Sequence, residues 1–358
     1  MKRAMFIFCL WQKGLWAQEA SSGFELRTTI SGDASYSHQL EAEPRSEGPV
    51  TGGFRAMFYP TWKLSEHWSI SGAVQTHSNS YFYEEFSEPG YGVATNVLQA
   101  DVSYSRFWKD RSLVVRVGEL SSAFGSFLLR YDDAANPLID MPMSYGYYYK
   151  GVSTLGLAGA QVEATLGKFD MRAQFANSSP ANPRTIFDHD QYGNWAGGAG
   201  YTIRQGFRIG ASAYNGPYLD RHYAFYFPGE ARPHDLPGSA YGADVQWGHG
   251  TWNVYGEWQR FQFDYRAIPT FKEHTGYAEV RRVLNPRWYA ATRLGYLRAN
   301  AGPGLEVYEV VAGFRPNRYQ LVKAGYEIQH GPAIRGTLAN VFTVQLVTAF
   351  DALSLARK

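Results

Sequence analysis

The sequence holds one cysteine, Cys9, in 358 residues. A disulfide framework and a thiol nucleophile in the body of the chain are therefore excluded. No run of about 18 apolar residues occurs, which excludes a helical membrane protein. An excess of one charge is also missing: 34 Lys and Arg stand against 32 Asp and Glu, a formal net charge of +2. Such a balance gives no field for nucleic acid. Blocks of Ala, Glu, Lys and Leu that favour helix are scarce. There is no Gly-x-Ser-x-Gly elbow, no Gly-rich phosphate loop and no His-Glu-x-x-His. Asp188-His189-Asp190 reads as a solvated loop cluster, and His222, His234 and Asp235 lack zinc spacing. No metal and no cofactor are expected.

Aromatics are abundant, at 16%, with 26 Tyr, 22 Phe and 10 Trp beside 37 Gly. That balance points to strands. Residues Val341 to Phe350 show the pattern best. Phe342, Val344, Leu346, Thr348 and Phe350 alternate with Thr343, Gln345, Val347 and Ala349. A strand puts these sets on opposite faces. The first face, with an aromatic at each end, fits a lipid band between aromatic girdles. The chain opens with Lys2-Arg3, a short apolar run from Met5 to Trp11 and Ala17. This reads as a secretory signal over 1–17, cleaved before Gln18, with one barrel over 18–358.

Seven tight polar turns join strand pairs, at 65–67, 109–111, 167–168, 204–206, 248–250, 285–287 and 315–318. The paired strands include 68–83, 153–166 and 191–203. One strand before them, 24–37, and the last, 340–350, bring the count to about sixteen. Fourteen or eighteen remain open, because boundaries move by a few residues. The other connections run longer on average. Short turns alternating with longer loops, and an even strand count, describe an all-β, antiparallel, up-and-down transmembrane β-barrel. Trp62, Trp68, Trp108, Trp247, Trp252 and Trp288 near strand ends suit an interface belt. A soluble all-β protein would alternate too, but would carry uniformly charged outer faces.

If the apolar ladders face lipid, the opposite positions face the lumen. These include Arg55, Asp101, Arg116, Arg172, Arg208, Asp244, Glu257, Arg293, Glu309, Lys323 and Glu327. Charges of both signs there fit a wet interior, and sixteen strands enclose more space than wall side chains fill. The longest loop, 121–152, is too apolar for free solvation, with Phe124, Phe127, Leu128, Leu129, Leu138, Ile139 and Met141. Folding inward would give it a wall to pack on and would place Arg130, Asp132, Asp133 and Asp140 at a constriction. Packing outside, on neighbouring loops or another protomer, is the alternative.

The stretch Val-Gly118-Glu-Leu-Ser-Ser-Ala-Phe124-Gly125 resembles the strand-end segment of porin-like barrels related to the phosphate-selective porins. The C-terminal aromatic strand, 341–350, is similar to the signal read by the barrel-assembly machinery. The resemblance implies a bacterial outer-membrane porin and a homotrimer. Phosphate selectivity is not implied, because no Lys- and Arg-rich cluster stands in the loop. Eight residues follow Phe350, whereas many barrels end on the aromatic. The expected function is passive diffusion of small hydrophilic solutes or ions. The alternatives are a barrel enzyme of lipid-hydrolase type, a non-conducting binding or adhesion barrel, and a transporter of hydrophobic substrates.

Overall fold

The computed structural model describes residues 22–38, 48–78, 92–145, 152–177, 193–217, 236–266, 269–300, 302, 304–331 and 340–356. The leader expected at 1–17, the cluster at 188–190 and the histidines at 222 and 234 lie outside them. Sixteen strands follow in order. They are β1 (Gly23–Tyr36), β2 (Val50–Lys63), β3 (Trp68–Ser78), β4 (Val93–Phe107), β5 (Arg111–Leu120), β6 (Leu157–Leu166), β7 (Phe169–Asn177) and β8 (Gly193–Arg204). The second half is β9 (Phe207–Pro217), β10 (Pro237–His249), β11 (Trp252–Phe263), β12 (Phe271–Val283), β13 (Trp288–Ala299), β14 (Leu305–Phe314), β15 (Gln320–His330) and β16 (Asn340–Ala356). Each pairs antiparallel with its chain neighbours, and β16 pairs with β1, so the sheet closes into a barrel. Closure leaves no continuous sheet edge along the wall.

Alternation sets which side chains enter the barrel. On β16, Phe342, Val344 and Leu346 are exposed outside, while Thr343, Gln345 and Val347 are at most 1% exposed inside. The outer face stays apolar around the barrel, with Ile30, Val102, Val162, Ile209, Leu294 and Val310 exposed on strands of both halves. Trp62, Trp68, Trp108, Trp252 and Trp288 are exposed beside the short turns, while Trp247 is half-buried and stacks on His249. The turns hold themselves with side-chain acceptors. Asn285 Oδ1 accepts from the Arg287 and Trp288 amides, and Asn317 Oδ1 does the same for Tyr319 and Gln320. These are the local bonds that make Asn a turn residue.

Two boundaries differ from the sequence reading by more than two residues. β6 begins at Leu157 and not at 153, because Gly156 turns the chain and its amide bonds Leu98 O. β16 runs to Ala356, six residues past Phe350, because β1 continues to offer ladder partners down to Gly23. β3 is described to Ser78, and 79–83 lie outside the described residues.

The outward setting of Leu346 gives a direct check. In phospholipid vesicles Leu346→Arg should destabilise the folded barrel by about 2–4 kcal/mol, the cost of a mid-bilayer cation on a barrel's outer face. A denaturant titration that finds less than about 1 kcal/mol would show that this face does not meet lipid.

Candidate functional site

Residues 121–145, between β5 and β6, are bonded to inward-facing side chains around most of the barrel. The segment leaves β5 along β7, where the Ala123 amide donates to Gln174 Oε1 at 2.9 Å. At Gly125 it meets β9 and β7: the amide donates to Ser212 Oγ, and the carbonyl accepts from Arg172. On β11, Glu257 accepts from the Ser126 amide and hydroxyl at 3.0 and 2.9 Å. It also accepts from the Tyr145 hydroxyl at 2.7 Å. Arg130 then reaches β12, where it bonds Glu279 at 2.6 Å and the Tyr277 hydroxyl at 3.2 Å.

The next residues reach the other side of the barrel. Tyr131 donates to Gln75 on β3. Asp132 accepts from Thr29 on β1 at 2.9 Å and Tyr59 on β2 at 2.5 Å. Asp133 accepts from Ser31 at 2.5 Å and makes a two-pronged pair with Arg55, at 2.6 and 3.1 Å. The segment then returns along β15, β14 and β13. Lys323 Nζ donates to Asp133 O and Leu138 O, Glu309 accepts from the Ile139 and Asp140 amides, and Arg293 donates to Asp140 O. Consecutive residues 130 to 133 thus tie β12 to β1–β3, strands well separated around the wall.

Apolar residues of the segment land on apolar inward patches. Leu138 and Ile139 pack with Tyr289, Ala291, Val311, Leu321 and Val347. Met143 packs with Leu297, Leu305 and Val307. Phe124 joins Phe261, Phe263, Phe271 and Tyr214. Burial of such side chains stabilises by roughly 1.5–3 kcal/mol each against full exposure. These contacts give the greasy part of the segment its reason to leave water.

The electrostatics of the segment reinforce the attachment. Burial disfavours charge on Arg130, but Glu279, with Tyr277 and Tyr255 beside it, more than offsets this and raises its pKa. Burial, and then the Glu257 carboxylate, push the Tyr145 phenol well up, so it remains a donor to Glu257. Gly125 and Gly118 explain the glycines of the sequence motif. Gly125 has φ +77°, and a Cβ there would strike the Tyr145 hydroxyl and lie 2.8 Å from Glu257 Oε1. Gly118 has φ +143°, and a Cβ would strike Ala100 O. Only glycine suits both the backbone and the space.

The residues singled out in the sequence divide into two groups. Arg55, Asp133, Asp140, Glu257, Arg293, Glu309, Lys323 and Glu327 are buried beneath or within the segment. Arg116, Arg172, Arg208 and Asp244, on β5, β7, β9 and β10, are half-buried, and Arg130 and Asp132 keep partial exposure. Arg208 is 24% exposed and pairs with Asp170 (40%) and Asp244 (9%), each at 2.6 Å. Arg116 (22%) faces Glu163 (36%) at 3.8 Å. Asp101 is buried and bonds Ser71 and Gln99 on the wall. Sequence reasoning missed Glu279 and Glu163. Alternation offers both: Glu279 shares a face with Tyr277 and Arg281, and Glu163 with Gln161.

No family model matches the sequence, and no curated protein matches it. Solved structures do match, at about one residue in ten. An anion-selective porin from Comamonas acidovorans superposes with a TM-score of 0.63 at 10% identity, covering 92% of this chain and 100% of that one. OmpT, an outer membrane protein of Vibrio cholerae, gives 0.62 at 10%, covering 94% and 99%. Salmonella typhi OmpF, in complex with daunomycin, gives 0.61 at 10%, covering 91% and 97%. The chain has a porin-like barrel fold.

The Arg55–Asp133 pair carries a prediction. Asp133→Ala leaves a buried guanidinium without its carboxylate, a loss of about 3–5 kcal/mol for a pair of this kind. Denaturant unfolding of the refolded barrel should show that loss, with early proteolytic cutting between 126 and 140. An unchanged midpoint would mean that Asp133 does not hold the segment.

Proposed function

We propose that the protein is an outer-membrane porin-type channel for small hydrophilic solutes, narrowed by residues 121–145. The observation that carries the reading is the placement of that segment. It is tied to opposite walls through buried groups, and it leaves water-exposed charges of both signs on β5–β10. Arg116, Arg172 and Arg208 are matched there by Glu163, Asp170 and Asp244. A solute entering from the short-turn side meets this balanced set before the segment. Arg130 and Asp132 keep partial exposure and would face the passage, whereas Asp133 and Asp140 act as anchors. Apolar outer walls and aromatic rims support a place in an outer membrane, reached by export with a leader at 1–17 and by assembly through β16. The porin resemblance supports a homotrimer. The balanced vestibule gives no support to phosphate selectivity.

A second reading has its own observation. Inward side chains are buried on β1–β3 and β11–β16, and Gln161, Gln174 and Asn194 are buried on β6–β8. A barrel closed at that height would bind partners or substrates without conducting.

Ion preference separates the two readings. A unit charge about 6 Å from an ion in water changes its energy by about 0.7 kcal/mol, with opposite signs for a cation and an anion, or roughly tenfold in the cation-to-anion permeability ratio before screening by salt. In planar bilayers under a salt gradient, Arg208→Gln should shift the reversal potential toward cations by about that ratio. Asp170→Asn with Asp244→Asn should shift it toward anions. Steady channels with unmoved reversal potentials would remove these charges from the path, and a folded barrel without conductance would favour the closed reading.

A further inference from the structure

β16 outruns its neighbour. Its ladder with β15 ends at Thr348 opposite Gln320, followed by one bond from the Ala349 amide to Tyr319 O. Its ladder with β1 continues to Ala356 opposite Gly23. Among the described residues, Phe350–Ala356 are therefore paired on one side only. Elsewhere on this rim the overhang is shorter. β4 passes Tyr104, its last residue paired with β3, by three residues; β8 passes Tyr201 by three; β10 passes Trp247 by two. β16 passes Thr348 by eight. At about 3.3 Å per residue, Phe350–Ala356 presents roughly 20 Å of unpaired main chain.

The surroundings of this edge define what fits it. Asp351 through Leu355 are exposed. Leu353 (42%) and Leu355 (56%) point outward, in register with Leu26 and Phe24 of β1, and Phe24 pairs with Trp62 of β2. An apolar row thus crosses the rim and stops at the open edge. A cleft of about 440 Å³ lies at the foot of the edge, between Asn317, Tyr319 and Gln320 on one side and Thr348, Phe350 and Asp351 on the other. Edge strands are usually blunted by Lys, Pro or a bulge. Here one bulge, at Ala352, and one charge, Asp351, interrupt it. Main-chain groups at a lipid boundary have no partner in hydrocarbon.

We propose that the β16 overhang is a docking edge for an extended peptide of a partner protein on the short-turn side. The peptide adds as a strand along Phe350–Ala356, with its base in the Tyr319 cleft. Main-chain bonds supply the attachment, and alternate apolar side chains extend the Leu353–Leu355 row. The occupant is a segment of about five to seven residues, apolar at every second position. A second copy of the chain fits poorly. Two barrels in one membrane are related by a twofold axis along its normal. Strands tilted about 35–45° in each would then cross at roughly 70–90° and form no ladder.

The test uses the full refolded barrel in detergent and a fluorescein-labelled heptapeptide of alternating leucine and threonine. Its controls are the same peptide N-methylated at alternate amides and the barrel variant Leu353→Lys with Leu355→Lys. The wild-type barrel should bind the plain peptide saturably. N-methylation and the double variant should each weaken binding at least tenfold, while the variant keeps the wild-type unfolding midpoint. No binding, or equal binding by the double variant, overturns the proposal. So does concentration-dependent dimerisation that the double variant abolishes while peptide binding is absent.

Discussion

A closed barrel of sixteen strands encloses more volume than its inward side chains fill, and the segment between β5 and β6 takes up part of that volume. The constraint is polar as much as spatial. A segment entering the lumen brings main-chain donors and acceptors that need partners. The wall supplies them from many strands: Gln174, Ser212, Glu257, Glu309, Arg293 and Lys323 each bond segment main chain. Side-chain pairs then fix the register, with Arg130 on Glu279 and Asp133 on Arg55 at nearly opposite places on the wall. Buried pairs of this kind add little net stability against an apolar filling. Their consequence is positional, because a shifted segment would leave charges uncompensated.

Much of the barrel was legible in the sequence because period-two alternation is a local property. Val341 to Phe350 alone gives its faces correctly, and Asn285 and Asn317 mark turns through bonds made within three residues. The far end of β16 was not legible. Asp351-Ala-Leu-Ser-Leu-Ala carries weak strand signals, and its pairing depends on where β1 begins. The start of β6 was misplaced for a similar reason: residues 153–156 have strand-like composition, but Gly156 bonds Leu98 across the sheet.

The inward residues were legible as a face and not as a network. Alternation separates Arg55, Glu257, Arg293, Glu309 and Lys323 from the outer wall. It cannot state that Arg55 meets Asp133, 78 residues away, or that Arg130 meets Glu279, 149 residues away. The same gap made the four charged residues of the loop look equivalent. In the fold, Asp133 and Asp140 are buried against the wall, while Arg130 and Asp132 retain contact with water. The other partly exposed inward charges lie on β5–β10. Charge count thus separates from charge access, and access is set by where the segment lies.

The position of that segment is the central claim, and a cross-link tests it most directly. Met143 Cγ lies 3.6 Å from where a Cβ on Gly295 would stand, inside β13. With Cys9 replaced by serine, Met143→Cys with Gly295→Cys should form a disulfide on mild oxidation of the folded barrel. Single-channel conductance should be the same before and after, because the segment already rests there. Failure of the two cysteines to join, or a fall in conductance when they do, would show that the segment normally lies elsewhere.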